Sequence, residues 1–432
     1  MRWHDKQGLP VHRLPGGRRA PVHAYAGELD RWLSSGAATA VPEAEPGLTG
    51  PALPERPVRK RKHLVLALAV PLFAAAVALA WPSLSAMVSP PTTADRISDG
   101  GDVALQGDLR ERFLAARRLW SDRSPASLVR ATTEFEAITR EAPQFAPGWA
   151  ALAESWLLSR EFGTVSDGEA FAAAEAAALQ AVAIDPNNAA GHRSLGFLQY
   201  WWRADPRAAG LSFRHALALA PGDAQNHFWY GNILSDNGAH ESALDHLAQA
   251  QTLDPGNVSL EVDYAWALWQ AGSGDAAARL FASLEASNPD HAVLRSCLAE
   301  IALIGRDWPQ YLAESEKYAA LRNDAAGAES TRRLRDVLEK SGESAFKAEL
   351  LRNVRAESTA DSAPTLAWPA MVASAVGDRA DLVALLRQAV AAQQRWGSSG
   401  YRRAIAEQWQ SDSEIARLLA AVTAERVEPA GE

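Results

Sequence analysis

Cysteine is almost missing from this chain: Cys297 is the one cysteine among 432 residues, so neither an intrachain disulfide nor a cysteine-rich zinc site can form. In its Ala- and Leu-rich surroundings it reads as a small, buried helix residue. The short signatures of catalysis are missing too. The helical body has no Gly-Lys-Ser or Gly-Lys-Thr phosphate loop, no His-Glu-x-x-His and no Gly-x-Ser-x-Gly. His240 and His246 stand six apart, on different faces of a helix, which argues against a metal pair. The acidic residues are expected at solvated helix positions. Strand-like alternation is confined to the first 35 residues. These absences exclude an obvious enzyme, metalloprotein or cofactor carrier, so no catalytic residue, metal, cofactor or small-molecule substrate is expected.

What the chain has in abundance is periodicity. Pro186, Pro221, Pro255 and Pro289 follow one another at 35, 34 and 34 residues, each closing an Ala-rich helical segment. Upstream of three of them recur the small residues Ala209, Ala243 and Ala277, and the large apolar Phe213, Leu247 and Phe281. Small residues suit a close helix crossing; large ones bury the face of a second helix. An earlier amphipathic segment in each unit carries Leu195-Gly196, Tyr230-Gly231 and Tyr264-Ala265. Breakers at Ala204-Asp205-Pro206, Asn237-Gly238, Gly272-Ser273-Gly274 and Gly305-Arg306-Asp307 divide the two segments. Each unit therefore reads helix, turn, helix.

This pattern resembles the tetratricopeptide repeat, with its 34-residue period and its Trp, Leu-Gly, Tyr, Ala, Phe, Ala and Pro positions. The phase extends upstream through Ala131, Phe135 and Pro143, and downstream through Leu298, Tyr311 and Tyr318 to Asn323, which replaces the proline. The unit closing at Pro186, with Trp149, Leu152 and Trp156 in its first helix, is about nine residues too long for the period. A loop insertion is expected at Glu161 to Glu169. The fold class is thus all-α, an α-solenoid of tetratricopeptide type over residues 108–325, with terminal capping helices over 326–425 and a tail over 426–432.

The first 63 residues carry 11 Lys and Arg against 6 Asp and Glu, while the whole chain has a net charge of −9. A basic head is joined to an acidic body. Val11 and Arg13, then Val22, His23 and Tyr25, flank Gly16-Gly17, as in a short hairpin. Residues 1–35 resemble the second half of an excisionase-like winged helix of the MerR type. The run Arg2-Trp3-His4-Asp5 stands for the end of a recognition helix. Gly8-Leu9-Pro10 is similar to the turn that follows, and Trp32-Leu33 to the end of the closing helix. That resemblance implies Arg2, Arg13, Arg18 and Arg19 as DNA-contact residues. It departs from the family in that the first helix and most of the recognition helix have no counterpart after Met1, so DNA binding is expected to be weak and sequence-independent. The other reading is a basic disordered tail.

Residues 36–58, rich in Pro, Gly, Ala and Glu, form a linker. Arg59-Lys60-Arg61-Lys62 then abuts Leu64 to Leu84, with no charged residue until Asp95. As a helix that run spans about 31 Å at roughly 1.5 Å per residue, enough to cross a bilayer core. Residues 59–84 are therefore expected to be a basic flank and a single membrane span, with 85–107 a spacer. A cleaved leader is the rival, disfavoured by the 60-odd residues that precede the run. The basic cluster places the amino terminus in the cytoplasm and the repeats outside the inner membrane.

In tetratricopeptide repeats the second, fifth, ninth and twelfth positions line a concave groove. By that resemblance the groove residues are Arg193, Phe197 and Tyr200, then Phe228, Asn232 and Ser235, then Val262, Trp266 and Trp269. Aromatics interleaved with Arg and Asn are the composition of a binding hot spot for a protein or peptide, although Trp266 and Trp269 can also pack between helices. Head, span and repeats together resemble one-component transmembrane transcriptional regulators, which implies a sensor. The alternative is a membrane-tethered assembly scaffold without a DNA-binding role.

Overall fold

The fold is given by a computed structural model that describes residues 12–13, 22–23, 107–162, 165–358 and 365–427. The chain divides into two units, Met1–Ala86 and Met87–Glu432. In the first, β1 (His12–Arg13) and β2 (Val22–His23) pair antiparallel, with His12 opposite His23 and Arg13 opposite Val22. This is the hairpin expected around Gly16-Gly17. The Arg2–Asp5 run, the closing helix, the linker 36–58 and the expected span 64–84 lie outside the described residues. Among the described residues no helix is long and apolar enough to cross a membrane.

The second unit is all-α. Its helices begin with α1 (Asp108–Asp122), α2 (Pro125–Glu141), α3 (Ala146–Phe162), α4 (Asp167–Ile184), α5 (Ala189–Trp201) and α6 (Pro206–Leu219). They continue with α7 (Ala224–Asn237), α8 (His240–Leu253), α9 (Val258–Gln270), α10 (Gly274–Ser287), α11 (Ala292–Ile304) and α12 (Trp308–Leu321). From α1 to α11 each odd-numbered helix packs on the even-numbered one after it, and from α1 to α9 also on the next odd-numbered one, which is the stacking of a helix-pair solenoid. After them come α13 (Ala325–Ser358), α14 (Ala367–Val376), α15 (Arg379–Ala391), α16 (Ser399–Gln408) and α17 (Ser413–Val422). Gly342 at φ 80° divides α13 into two helices across a kink.

The recurring proline marks a local device. Two residues after it, Asn188, Asp223, Asn257 and His291 each cap the next helix, accepting from a backbone N–H one turn in at 2.8, 2.9, 3.3 and 3.4 Å. Such a cap satisfies one of the orphan donors of a helix start and is worth roughly 1 kcal/mol. Six residues after the proline a side chain donates back to its carbonyl: Trp149 to Pro143 at 3.0 Å, His192 to Pro186 at 2.9 Å, His227 to Pro221 at 3.0 Å and Arg295 to Pro289 at 2.8 Å. The turn between units is thereby tied at both ends.

Within a unit the small residues do what their spacing implied. A β-carbon on Gly196 would lie 2.7 Å from the Phe213 ring, and one on Gly231 would lie 2.7 Å from Leu247. Ala209, Ala243 and Ala277 are 0–1% exposed on the facing helices. Phe213 stacks on Tyr230 of the next unit, ring centres 5.2 Å apart and 15° from parallel, so the contact runs on from unit to unit. Cys297 is buried, as expected of a small helix residue.

Two expectations are corrected. The surplus in the unit closing at Pro186 is not a loop insertion: α3 and α4 are 17 and 18 residues long, whereas α5 to α12 are 13 or 14. The run Phe171-Ala-Ala-Ala-Glu-Ala-Ala-Ala is strongly helix-forming, and Ser166 caps α4, so the extra residues lengthen both helices by about a turn. Nor are all the acidic residues solvated. Glu154 and Glu314 are 1% and 0% exposed, each clasped by an arginine, Arg193 and Arg295 respectively, that is itself buried.

Candidate functional site

The nine expected groove residues lie on α5, α7 and α9, and none of them is fully exposed. Arg193 is 2% exposed and committed to an internal network. Its Nη1 donates to Asp223 Oδ2 at 2.7 Å and to Asn226 Oδ1, while Nη2 donates to Glu154, whose other oxygen takes Arg117 at 2.6 Å. Burial alone would push the Asp223 carboxyl up; the charge and hydrogen bond of Arg193 outweigh it and hold it below the ordinary value. Phe197 packs against Trp229, centres 5.1 Å apart. Val262 is fully buried, in a cluster with Phe281 and Leu294. Phe228, 2% exposed, lies beneath the guanidinium of Arg123, which reaches in from the α1–α2 turn to 5.4 Å from the ring centre. Arg193, Phe197, Phe228 and Val262 therefore pack inside the solenoid and are not laid open on a groove.

The other five lie together along one line. Asn232 Nδ2 donates to Asp263 at 2.7 Å, and both residues are half-buried. Trp266 stacks on Trp269 at 4.5 Å and 23°. Tyr200 donates its hydroxyl to Asp236 Oδ2 at 2.7 Å, and Ser235 donates to Gln270 on α9 at 2.5 Å. Tyr200, Ser235 and Trp269 sit near the carboxyl ends of α5, α7 and α9, and what covers them is the chain itself.

The terminal helices do not simply close the end of the stack. Residues 396–403, the α15–α16 connection and the start of α16, lie across the ends of α7 and α9, and reach α11. The Ser398 N–H donates to Asp236 Oδ1 at 2.9 Å, and the Ser399 hydroxyl to the Ser235 carbonyl at 2.7 Å. Tyr401 donates to Glu300 of α11, and Arg403 Nη2 to the Trp269 carbonyl at 2.8 Å, its guanidinium 5.3 Å from the Trp269 ring centre. Gly397 and Gly400 have no room for a side chain: a β-carbon would collide with Asp236 and the Tyr200 hydroxyl at the first, and with the Trp269 ring at the second. Further along, Asn237 Nδ2 donates to the Glu425 carbonyl at 2.8 Å, and the Val427 N–H donates to Asn237 Oδ1 at 2.9 Å. A short parallel bridge between Trp396 and Thr423 holds the two returning stretches together.

Asp236 and Glu300 meet this segment directly, while Asp263 lies on α9 beside Asn232. Burial pushes Asp263 up to about 7, against the hydrogen bond from Asn232 and the charge of Arg123. Burial likewise raises Glu300 to about 6, against hydrogen bonds from Tyr401 and Ser296. Asp236 is raised by burial, with Tyr200, Ser398 and Arg402 working in the opposite direction. Asp236, Asp263, Glu300 and Arg123 escaped the sequence reading, which followed aromatic residues. The signal that could have found the covering segment is the run Trp396-Gly-Ser-Ser-Gly-Tyr, which falls outside the repeat period. Among the described residues no group of three His, Cys, Asp or Glu is placed to hold a metal ion. His246, set against His240 in the sequence, lies instead 2.9 Å from His227, Nδ1 to Nδ1. Of the DNA-contact residues, Arg13 lies in β1; Arg2, Arg18 and Arg19 lie outside the described residues.

A family model of the tetratricopeptide repeat matches residues 234–301, from the end of α7 into α11. Comparison with curated protein sequences gives no match. Among solved structures, PilF of Pseudomonas aeruginosa is 18% identical, with 49% of this chain and 97% of that one covered at a TM-score of 0.34. A tetratricopeptide-repeat protein of Thermus thermophilus is 19% identical over 47% and 96%, at 0.32. One from Parabacteroides merdae is 14% identical over 62% and 99%, at 0.39.

Proposed function

From the tetratricopeptide repeats that the chain carries, we propose that it is a membrane-tethered, non-enzymatic protein that binds a protein or peptide partner along the line from Tyr200 to Trp269. The observation that carries the binding reading is that this line already grips polypeptide. It takes a backbone N–H on Asp236, a hydroxyl on the Ser235 carbonyl and an arginine on the Trp269 carbonyl. Half-buried Asn232 and Trp266 lie alongside. Tethering rests on the charge-free run 64–84 behind Arg59-Lys60-Arg61-Lys62, and that run and its flank set the orientation, head in the cytoplasm and repeats outside. A regulatory role for the head rests on the β1–β2 hairpin, the fold expected of a wing.

Reporter fusions test the tether. A fusion at Ser35 gives cytoplasmic activity and one at Ser98 gives extracytoplasmic activity; cytoplasmic activity at Ser98 refutes the orientation. Binding is tested with a photo-crosslinking amino acid at position 232 or 266 in the full chain in its own membranes. A discrete adduct with a second protein is expected at both positions and none at exposed Leu211. Adducts at Leu211 equal to those at 266 refute the groove.

A further inference from the structure

We propose that residues 396–403 are an intramolecular ligand of the repeat groove, and that the partner presents a basic peptide of the same kind: two glycines separated by small hydroxyl residues, then a tyrosine and arginines. The inference deepens the partner-binding reading and rests on it. Three independent features define this ligand chemistry. The first is steric. At Gly397 and Gly400 any β-carbon would run into Asp236, Tyr200 or Trp269, so the surface accepts glycine at both places and little else. The second is the spacing of polar receivers. Asp236 Oδ1, the Ser235 carbonyl and Glu300 take, in order, the N–H of residue 398, the hydroxyl of 399 and the hydroxyl of 401. The third is charge. Arg402 and Arg403 reach the carbonyls of Asn237 and Trp269 at 3.4 and 2.8 Å, at the carboxyl ends of α7 and α9, where the helix dipole favours a cation.

The docked segment is held chiefly by hydrogen bonds and two arginines that remain half-buried, not by an apolar plug of its own. Tyr401 is its one large side chain on the repeats, and Trp396 faces the C-terminal helices, in one cluster with Leu419 and Val422. A site engaged in this way from within the same chain sees an effective ligand concentration on the order of millimolar, so a partner peptide must outcompete it or find it released.

The test uses the full chain, a fluorescein-labelled peptide of residues 394–404, and hydrogen exchange at 396–403 to report release. In the wild-type protein the segment exchanges slowly and the peptide binds weakly. Gly400→Val, which cannot share space with Trp269, speeds exchange and tightens peptide binding at least tenfold. Adding Asp236→Asn to that chain removes the gain, and a peptide carrying Gly400→Val does not bind. Should Gly400→Val lose helicity, Arg402→Ala with Arg403→Ala releases the segment by removing anchors instead of overfilling the contact. Fast exchange without any gain in peptide binding overturns the proposal and makes the segment a fixed cap. So does slow exchange in both variants. Neither result touches the crosslinking test at positions 232 and 266, so the ligand assignment and the partner-binding reading fail separately.

Discussion

Replacing Arg193 with methionine tests how the repeats are locked to one another. Arg193 is 2% exposed and Glu154 1%, and the network they share also holds Asp223, Asn226 and Arg117. Methionine keeps much of the length and none of the charge. Glu154 is then left with Arg117 alone, and Asp223 loses its cation. Removing one partner of a buried pair costs about 3–5 kcal/mol, because the charge left behind is uncompensated. Arg193→Met should therefore lower stability by about that amount, while Arg193→Met with Glu154→Met should cost less than the two single changes added together, since no lone charge remains on that pair. A solenoid need not unfold in one step, so chemical denaturation should be read with amide exchange resolved over α3, α5 and α7. The pH dependence supplies a second readout. Asp223 is held below its ordinary value of 3.8 by Arg193, so its contribution is fully present above that pH and is lost as the pH falls through the lowered folded value. In Arg193→Met this acid-side loss disappears. A single variant less stable by under about 1 kcal/mol, with the acid limb unchanged, would refute the reasoning, because that is the scale of an exposed pair.

Asp263, raised to about 7 mainly by burial, has the opposite sign: the folded state keeps its proton while the unfolded chain has lost it, so stability falls as the pH rises from about 4 to about 7. Asp263→Asn should flatten that limb and raise stability at neutral pH by up to about 4 kcal/mol, at roughly 1.4 kcal/mol per unit, as read by thermal melts between pH 4 and 8; an unchanged slope counts against it. Gly196→Val would push a side chain into Phe213 and should cost about 1–3 kcal/mol by overpacking, whereas the same change at Gly222, which meets nothing within 4 Å, should not.

How much of this was legible differs between the repeats and what covers them. Local rules wrote the repeats. Glycine or alanine marks the helix crossing, and Phe213, Leu247 and Phe281 fill the space between helices. Each needs only residues within about one repeat period of each other, so the spacing carried them. The length of α3 and α4 was misjudged because period arithmetic cannot tell a loop from an added helical turn; the alanines of 172–178 could have decided it. The buried carboxylates were missed for another reason. Glu154 and Arg193 are 39 residues apart, and a glutamate on a helix looks the same in sequence whether water or an arginine meets it.

The return of residues 396–427 was the least legible feature, and the reason bears on the site. Its hydrogen bonds to the repeats join positions from 101 residues apart, Tyr401 with Glu300, to 190 apart, Val427 with Asn237, so no repeat phase connects them. Yet the groove positions that the family pattern names do separate by environment. The fifth positions, Arg193, Phe228 and Val262, are 2% exposed or less, locked into a network, lying beneath Arg123 or packed in the core. The twelfth positions, Tyr200, Ser235 and Trp269, lie beneath polypeptide instead, and the ninth positions Asn232 and Trp266 stay half-buried beside it. Burial by the protein's own core removes a side chain from recognition permanently. Burial by a segment held through hydrogen bonds removes it only while that segment stays. Asn232, Trp266 and the twelfth positions are therefore where a partner has something to gain, whereas the fifth positions and Phe197 are where substitution should report on stability alone.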